Sequence, residues 1–291
     1  MDRSQIRLDY GEKMIRIREI TAAEAPVLSA MADAVNWNVA PSECGLMTAA
    51  DNMKVFFLEV DGEIAGSAGM VTYEPQSLVF INLVIVKPQF RRRGYATMMI
   101  EHILDITRDY KTKKLHATPD GSKVYAPLGF KPCRGISFFA AENPQLPAVD
   151  SGKVQPMRQD ELEQAIVRDA ECFGFSRHNL LNFNHAEFGK YAFVSDDGKA
   201  HIFGRRWKKY RQMAALVSED LTTAMNLVSW AANSDKTQPQ SIICYDQQTE
   251  FMDFLQSGGF VKVREMLDME LGENTAAPPM KYRAIYGGDM G

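Results

Sequence analysis

The stretch Leu83-Val-Ile-Val-Lys-Pro-Gln-Phe-Arg-Arg-Arg-Gly-Tyr-Ala96 leads from a β-branched apolar run, through a loop holding three arginines and a glycine, into a helical pattern. A junction of this kind aims several backbone N–H groups in one direction, and the helix dipole adds partial positive charge at the same end. It can bind an anion, and a pyrophosphate in particular. Gly94 lets the backbone approach the phosphates, Ala96 keeps the wall small, and Arg91, Arg92 and Arg93 bring charge to the mouth.

The elements around this loop follow from periodicity and turn chemistry. Residues 14–20 alternate as a strand, and Thr21-Ala-Ala-Glu24 reads as a capping box opening an amphipathic helix to about Val35. Residues 54–60 and 63–73 form a hairpin about Asp61-Gly62, whose residue types tolerate the positive φ angles of a two-residue turn. A strand over 78–87 ends at Pro88, and helical spacing from Ala96 runs to about Asp109. Residues 115–117 read as a strand, 122–128 as a short helix and 135–141 as a closing strand. The Pro- and Gly-containing segment 143–153 reads as a linker between domains at 1–146 and 152–291. Beyond it the order recurs: a strand near Val154, a helix from Asp160, a hairpin about Asp197-Gly198, a strand over 212–217 and a helix over 221–232. Both halves also pass through Gly-Phe into a strand, at Gly129-Phe130 and Gly259-Phe260.

Arg91, Gly94 and Ala96, following Val86 and Pro88, resemble the acetyl-CoA motif R-x-x-G-x-A of the GNAT N-acetyltransferases. Downstream, the stretch from Ala117 to Phe130 resembles the family segment in which a Tyr precedes Gly-Phe, here Tyr125. The resemblance implies an α/β (α+β) fold of two tandem GNAT units, each a mixed, mainly antiparallel twisted sheet flanked by helices. It implies that Val84, Ile85 and Val86 lie on a splayed strand whose backbone pairs with the pantetheine arm, and that amides from Arg92 to Thr97, Tyr95 included, hold the pyrophosphate. Tyr125 matches the position whose hydroxyl protonates the departing CoA thiolate, a role a phenol can fill. Trp37-Asn38 matches a Trp-Asn pair of tandem relatives near the acceptor site, and would shape the substrate. Many relatives carry a carboxylate on or near the central strand as general base, whereas here Phe80-Ile-Asn82-Leu83 has none. Glu59, Glu74, Asp33 and His116 stay open, and no base is assigned.

The second half resembles the degenerate C-terminal domain of tandem GNAT proteins. Its junction, Leu216-Val-Ser-Glu-Asp-Leu-Thr-Thr-Ala224, has no Gly, no Arg and two acids, which would repel a pyrophosphate, and Leu255 stands where Tyr125 stands in the first half. This half is expected to supply a wall of the acceptor site, with Phe173, Phe175, Arg177 and His178 as candidates.

Composition narrows the class further. A net charge of −4 argues against a nucleic-acid partner, and the longest apolar run, 78–86, is far short of the ~20 residues of a membrane helix. Four scattered cysteines suggest neither a disulfide framework nor a metal site, so a cytoplasmic, metal-free protein is expected. The function that follows is transfer of an acetyl group from acetyl-CoA to a primary amine of a small molecule. The alternatives are a non-catalytic sensor of CoA or another ligand, and transfer of a different acyl or aminoacyl group. The acceptor's identity and the oligomeric state stay open.

Overall fold

The computed structural model describes residues 5–10, 13–74, 77–150, 152–273 and 281–288, the first of these ranges by its backbone alone. The first half comprises β1 (Gln5–Tyr10), β2 (Lys13–Glu19), α1 (Ala25–Ala34), α2 (Pro41–Ala49), β3 (Met53–Val60), β4 (Glu63–Tyr73), β5 (Leu78–Val86), α3 (Tyr95–Ile106), β6 (Thr112–Ala117), α4 (Pro119–Tyr125) and β7 (Lys131–Ala141). The second comprises β8 (Val154–Pro156), α5 (Gln159–Phe173), α6 (His178–Phe188), β9 (Phe193–Ser195), β10 (His201–Arg206), β11 (Arg211–Val217), α7 (Leu221–Ser234), β12 (Gln240–Tyr245), α8 (Thr249–Ser257), β13 (Val261–Gly272) and β14 (Tyr282–Ala284).

Local chemistry sets the element ends. The β3–β4 turn holds Asp61 and Gly62 at φ of 52° and 85°, both positive as its two-residue length demands. Ahead of α1, the Glu24 carboxylate accepts the Thr21 N–H at 2.9 Å and is gripped by Arg18 at 2.6 Å. Arg18 also donates to Glu59 at 2.7 Å, and its bonds hold the Glu24 carboxyl down at about 2.

The strands form one sheet in the order β1-β2-β3-β4-β5-β6-β13-β7-β12-β11-β10-β9-β8, with β14 added beside β11. Pairing is antiparallel except for β5 with β6 and β11 with β12. The two halves exchange their long closing strands. β13 lies between β6 and β7, pairing Asp268 with His116 on one side and with Arg134 on the other, while β7 runs on to pair with β12. The helices follow their apolar faces. Tyr95, Met99 and Ile103 of α3 close one core of the first half. Leu28 of α1 and Met47 of α2 share a second core with Leu162 of α5 and Leu181 of α6, so that core spans both halves.

Several elements differ from the sequence reading. The short helix begins at Pro119 rather than 122, because Thr118 caps it by accepting the Gly121 N–H at 3.1 Å. α2 and α6 carry weak amphipathic patterns, interrupted by Gly45 and by asparagines, and escaped the periodicity reading. The linker is fastened: Leu146 is buried against Gly258, and the Gln145 N–H bonds the Gly258 carbonyl at 2.8 Å.

Candidate active site

The groove beside β5 is built by two backbone irregularities. Leu83, at φ 48°, makes a bulge opposite Ser67 to Gly69, and the parallel pairing of β5 with β6 ends at Ile81–Leu115. Beyond that point Val84, Ile85 and Val86 face a gap where a strand neighbour would otherwise lie. The loop then curls through Arg92 and Gly94, at φ 60° and 79°, into α3. Met98 is the first residue to bond back, to the Gly94 carbonyl at 3.0 Å, so the amides of Tyr95, Ala96 and Thr97 head the helix without intrahelical acceptors. The resulting groove, about 880 Å³, is lined by Val84, Val86, Arg91, Arg92, Ala96 and Tyr125 among others. That volume falls within the roughly 300–1,000 Å³ typical of small-ligand sites.

The arginines divide their work. Arg92 lines the groove with an exposed side chain, and Arg91 lines it while its Nε–H donates to the Val86 carbonyl at 2.9 Å, tying the loop to the strand. Arg93 lies over the Phe90 ring and lines a separate hollow with Ile15 and Glu101. Gly94 has open space where a side chain would begin, so its positive φ, rather than crowding, is what calls for glycine.

Tyr125 ends α4 with its ring edge-on to Phe130 and lines the groove. Burial pushes its phenol up, so it keeps its proton at neutral pH, as an acid must. Three of the four candidate bases are engaged elsewhere or lie outside the cavity. Glu59 is bound to Arg18, Asp33 accepts from Trp207 and Lys208, and Glu74 is exposed and lines neither groove nor cavity.

His116 is different. It lines a second cavity, about 170 Å³, that meets the groove at Trp37, Thr118 and Arg264. Its Nε2 lies 4.0 Å from Asp268 of β13, a carboxylate pushed up by burial and flanked by Arg134 Nε at 3.2 Å and Lys114 Nζ at 3.7 Å. Only the strand exchange brings Asp268 to this position, and no pattern in the sequence pairs it with His116.

Trp37 lines both spaces. Asn38 lines the cavity and clamps a turn of the second half: its Nδ2 donates to the Tyr210 carbonyl at 3.0 Å, and its Oδ1 accepts the Lys209 and Tyr210 amides at 3.2 and 3.3 Å. The second half does wall the cavity, but through Phe138-facing Arg264, Tyr210 and Gln212 rather than the residues expected. Arg177 is buried in a bidentate pair with Asp169 at 2.6 and 2.9 Å, and Phe173 and Phe175 pack about it and Tyr73. His178 lines a small surface hollow with Asn52. These four serve the junction between the halves and not the cavity, because the guanidinium finds its carboxylate eight residues away and draws the aromatics over itself.

The second half repeats the architecture and fills it with its own chain. Ala215, at φ 44°, repeats the bulge, and the pairing of β11 with β12 ends at Met213–Ile242. β14 then occupies the gap, pairing Ala284 with Leu216 and Tyr282 with Val217. At the helix start, Asp220 accepts the Thr223 N–H at 2.6 Å, so a carboxylate of the chain caps amides of the kind the first half leaves open. The Gly-Phe correspondence also holds in detail. Gly129 and Gly259 have φ of 94° and 88°, and the amides of Phe130 and Phe260 bond the carbonyls of Tyr125 and Leu255 at 3.3 and 3.0 Å.

Comparisons with known proteins agree with this geometry. The acetyltransferase (GNAT) family model matches residues 16–130, and an acetyltransferase (GNAT) domain model matches 165–287. Among solved structures, a candidate acetyltransferase from Pyrococcus horikoshii is 19% identical, with a TM-score of 0.78 over 98% of both chains. A GCN5-related N-acetyltransferase from Sphaerobacter thermophilus is 14% identical, with a TM-score of 0.64 over 90% of this chain and 97% of that one. A tandem GNAT protein from the clavulanic acid biosynthesis pathway is 12% identical, with a TM-score of 0.62 over 90% of this chain and all of its own. These likenesses concern the fold. In sequence, the uncharacterized N-acetyltransferase YitH of Bacillus subtilis (strain 168) is 24% identical over 127 residues, and the match spans 43% of this chain and 44% of that protein. With each half matched by a family model, and both the bulge and the Gly-Phe closure present twice, the chain belongs to the GNAT acetyltransferase family and carries two such domains in tandem.

Proposed function

We propose that the protein is an acetyl-CoA-dependent N-acetyltransferase whose first half binds the donor and whose acceptor, a small primary amine, sits in the cavity between the halves. The observation that carries this reading is the continuous path from the helix-start amides, along the open edge of β5, to Tyr125 and on to the cavity at Trp37 and Thr118. The groove suits the donor in three ways: amides of Tyr95 to Thr97 with Arg91 and Arg92 for a pyrophosphate, the unpaired edge of Val84 to Val86 for an amide-bearing arm, and a protonated phenol near its end. Acetyl-CoA supplies an activated thioester carbonyl.

His116, with the Asp268 carboxylate 4.0 Å from its Nε2, takes the proton from the acceptor amine, and Tyr125 gives its proton to the leaving sulfur. Trp37 forms part of the wall and Asn38 holds the Lys209–Tyr210 turn against it. The proposal includes a cytoplasmic setting, with which four cysteines that form no disulfide are in keeping.

Calorimetric titration of acetyl-CoA into the full chain tests donor binding, and absence of heat would refute it. Tyr125→Phe should then lower kcat by roughly 10²-fold or more with the acetyl-CoA Kd unchanged. An unaltered kcat would remove Tyr125 from the chemistry.

A further inference from the structure

The acceptor cavity carries an unusual charge pattern. Among the described residues it is lined by His116, Arg205, Lys209 and Arg264, and by no aspartate or glutamate. Arg205 is already neutralised, since its Nη1 lies 2.8 Å from Glu43 behind the wall. The charges of Lys114 and Arg134, next to His116, are likewise balanced by Asp268 and Glu270. Lys209 and Arg264 have no carboxylate partner of this kind among the described residues: Lys209 lies over the Tyr210 ring and Arg264 over Phe138. Arg264 is half-buried, and burial lowers its pKa, which is the mark of a charge removed from water without a counter-ion. It stands on β13 where cavity and groove meet, beside the place where the reacting amine must lie.

On the strength of the transferase reading above, we infer that the acceptor is an amine bearing an anionic group close to its nitrogen, an α-amino acid being the simplest case, with the anion held by Arg264 and Lys209. Two arguments support this assignment. A polyamine or aminoglycoside would bring further positive charge into a cavity that offers no described carboxylate, and like charges at short range repel. A guanidinium at the junction also favours the neutral over the charged amine, which is the form that attacks the thioester. The step balances: the amine nitrogen bonds to the acetyl carbon, the carbon–sulfur bond breaks, one proton leaves the nitrogen and one joins the sulfur.

The test uses the full-length protein with acetyl-CoA, following thiol release with an α-amino acid panel, the matching decarboxylated amines, an amino-sugar phosphate and spermidine. Amino acids should exceed their decarboxylated partners in kcat/KM by about tenfold to a hundredfold, the range expected when a charge-assisted bond is lost. Preference for the amino-sugar phosphate would keep the anionic-amine assignment and name phosphate as its source. In Arg264→Gln, KM for the preferred acceptor should rise about tenfold or more and the preference for amino acids over their decarboxylated partners should collapse toward one, while the acetyl-CoA Kd stays put. Equal or better use of spermidine or neutral amines would overturn the proposal. So would a raised acetyl-CoA Kd in Arg264→Gln with an unaltered acceptor KM, which would give Arg264 to the donor. If acetyl-CoA binds but no amine turns over, calorimetry of the amino acid and its decarboxylated partner against the protein–CoA complex decides, and equal affinity sinks the inference. Failure of acetyl-CoA itself to bind would strike the transferase reading instead.

Discussion

Gly94 illustrates how one residue carries both a structural and a chemical demand. Its φ of 79° belongs to the left-handed region, where a Cβ costs ~1–2 kcal/mol, and it ends the loop whose following amides face the groove. Gly94→Val should therefore weaken acetyl-CoA binding by roughly tenfold or more, measured by calorimetry, while circular dichroism shows the fold intact. Unchanged affinity would mean that the loop does not hold the pyrophosphate. Gly94 and Tyr125 were legible in the sequence because their demands are local, a turn and a fixed distance to Gly-Phe. His116 could be named but not chosen, since what sets it apart from Glu59 and Asp33 is the company each keeps. Glu59 and Asp33 are held by cations that arrive from 41 and 175 residues away.

At the scale of elements, the bulged strand and its splay explain why one half keeps an open groove and the other does not. The bulge occurs in both, at Leu83 and Ala215, but β14 closes the second gap. Two buried histidines tie element packing to pH. His102 on α3 packs edge-on to Phe56, and His201 of β10 is fully buried; burial, chiefly, lowers the pKa of both below the ordinary 6.5. The unfolded chain takes up these protons near 6.5 and the native state only at lower pH, so stability present above 6.5 is lost as pH falls below it. The Tm should drop between neutral pH and about pH 5, by roughly 2–4 °C for each kcal/mol lost. His102→Leu should flatten that slope in a scanning calorimeter, and a slope identical to the parent's would show that His102 is not part of it. The weak helices α2 and α6 were the elements least visible in sequence, because each is held by the core between the halves rather than by its own periodicity.

Across the whole molecule, the strand exchange makes the halves interdependent. A fragment ending near residue 150 lacks β13, leaving β6 an open edge and β7 without a partner on either side. Expressed alone, it should be insoluble or aggregated in size-exclusion chromatography, and co-expression with residues 152–291 should restore a soluble complex. A soluble, monomeric N-terminal fragment would contradict this dependence. The sequence by itself gave notice of a recurring order of elements, of a Gly-containing loop ahead of a helix and a Tyr five residues before Gly-Phe in the first half, and of the loss of both in the second, because each unit is a local pattern. Only the tertiary structure decided that Asp268 stands behind His116, that Arg264 faces the cavity between the halves and that β14 fills the second groove. Those three rest on strand pairings between segments more than 60 residues apart, and such pairings are chosen by the packing of the whole sheet, which local patterns do not encode.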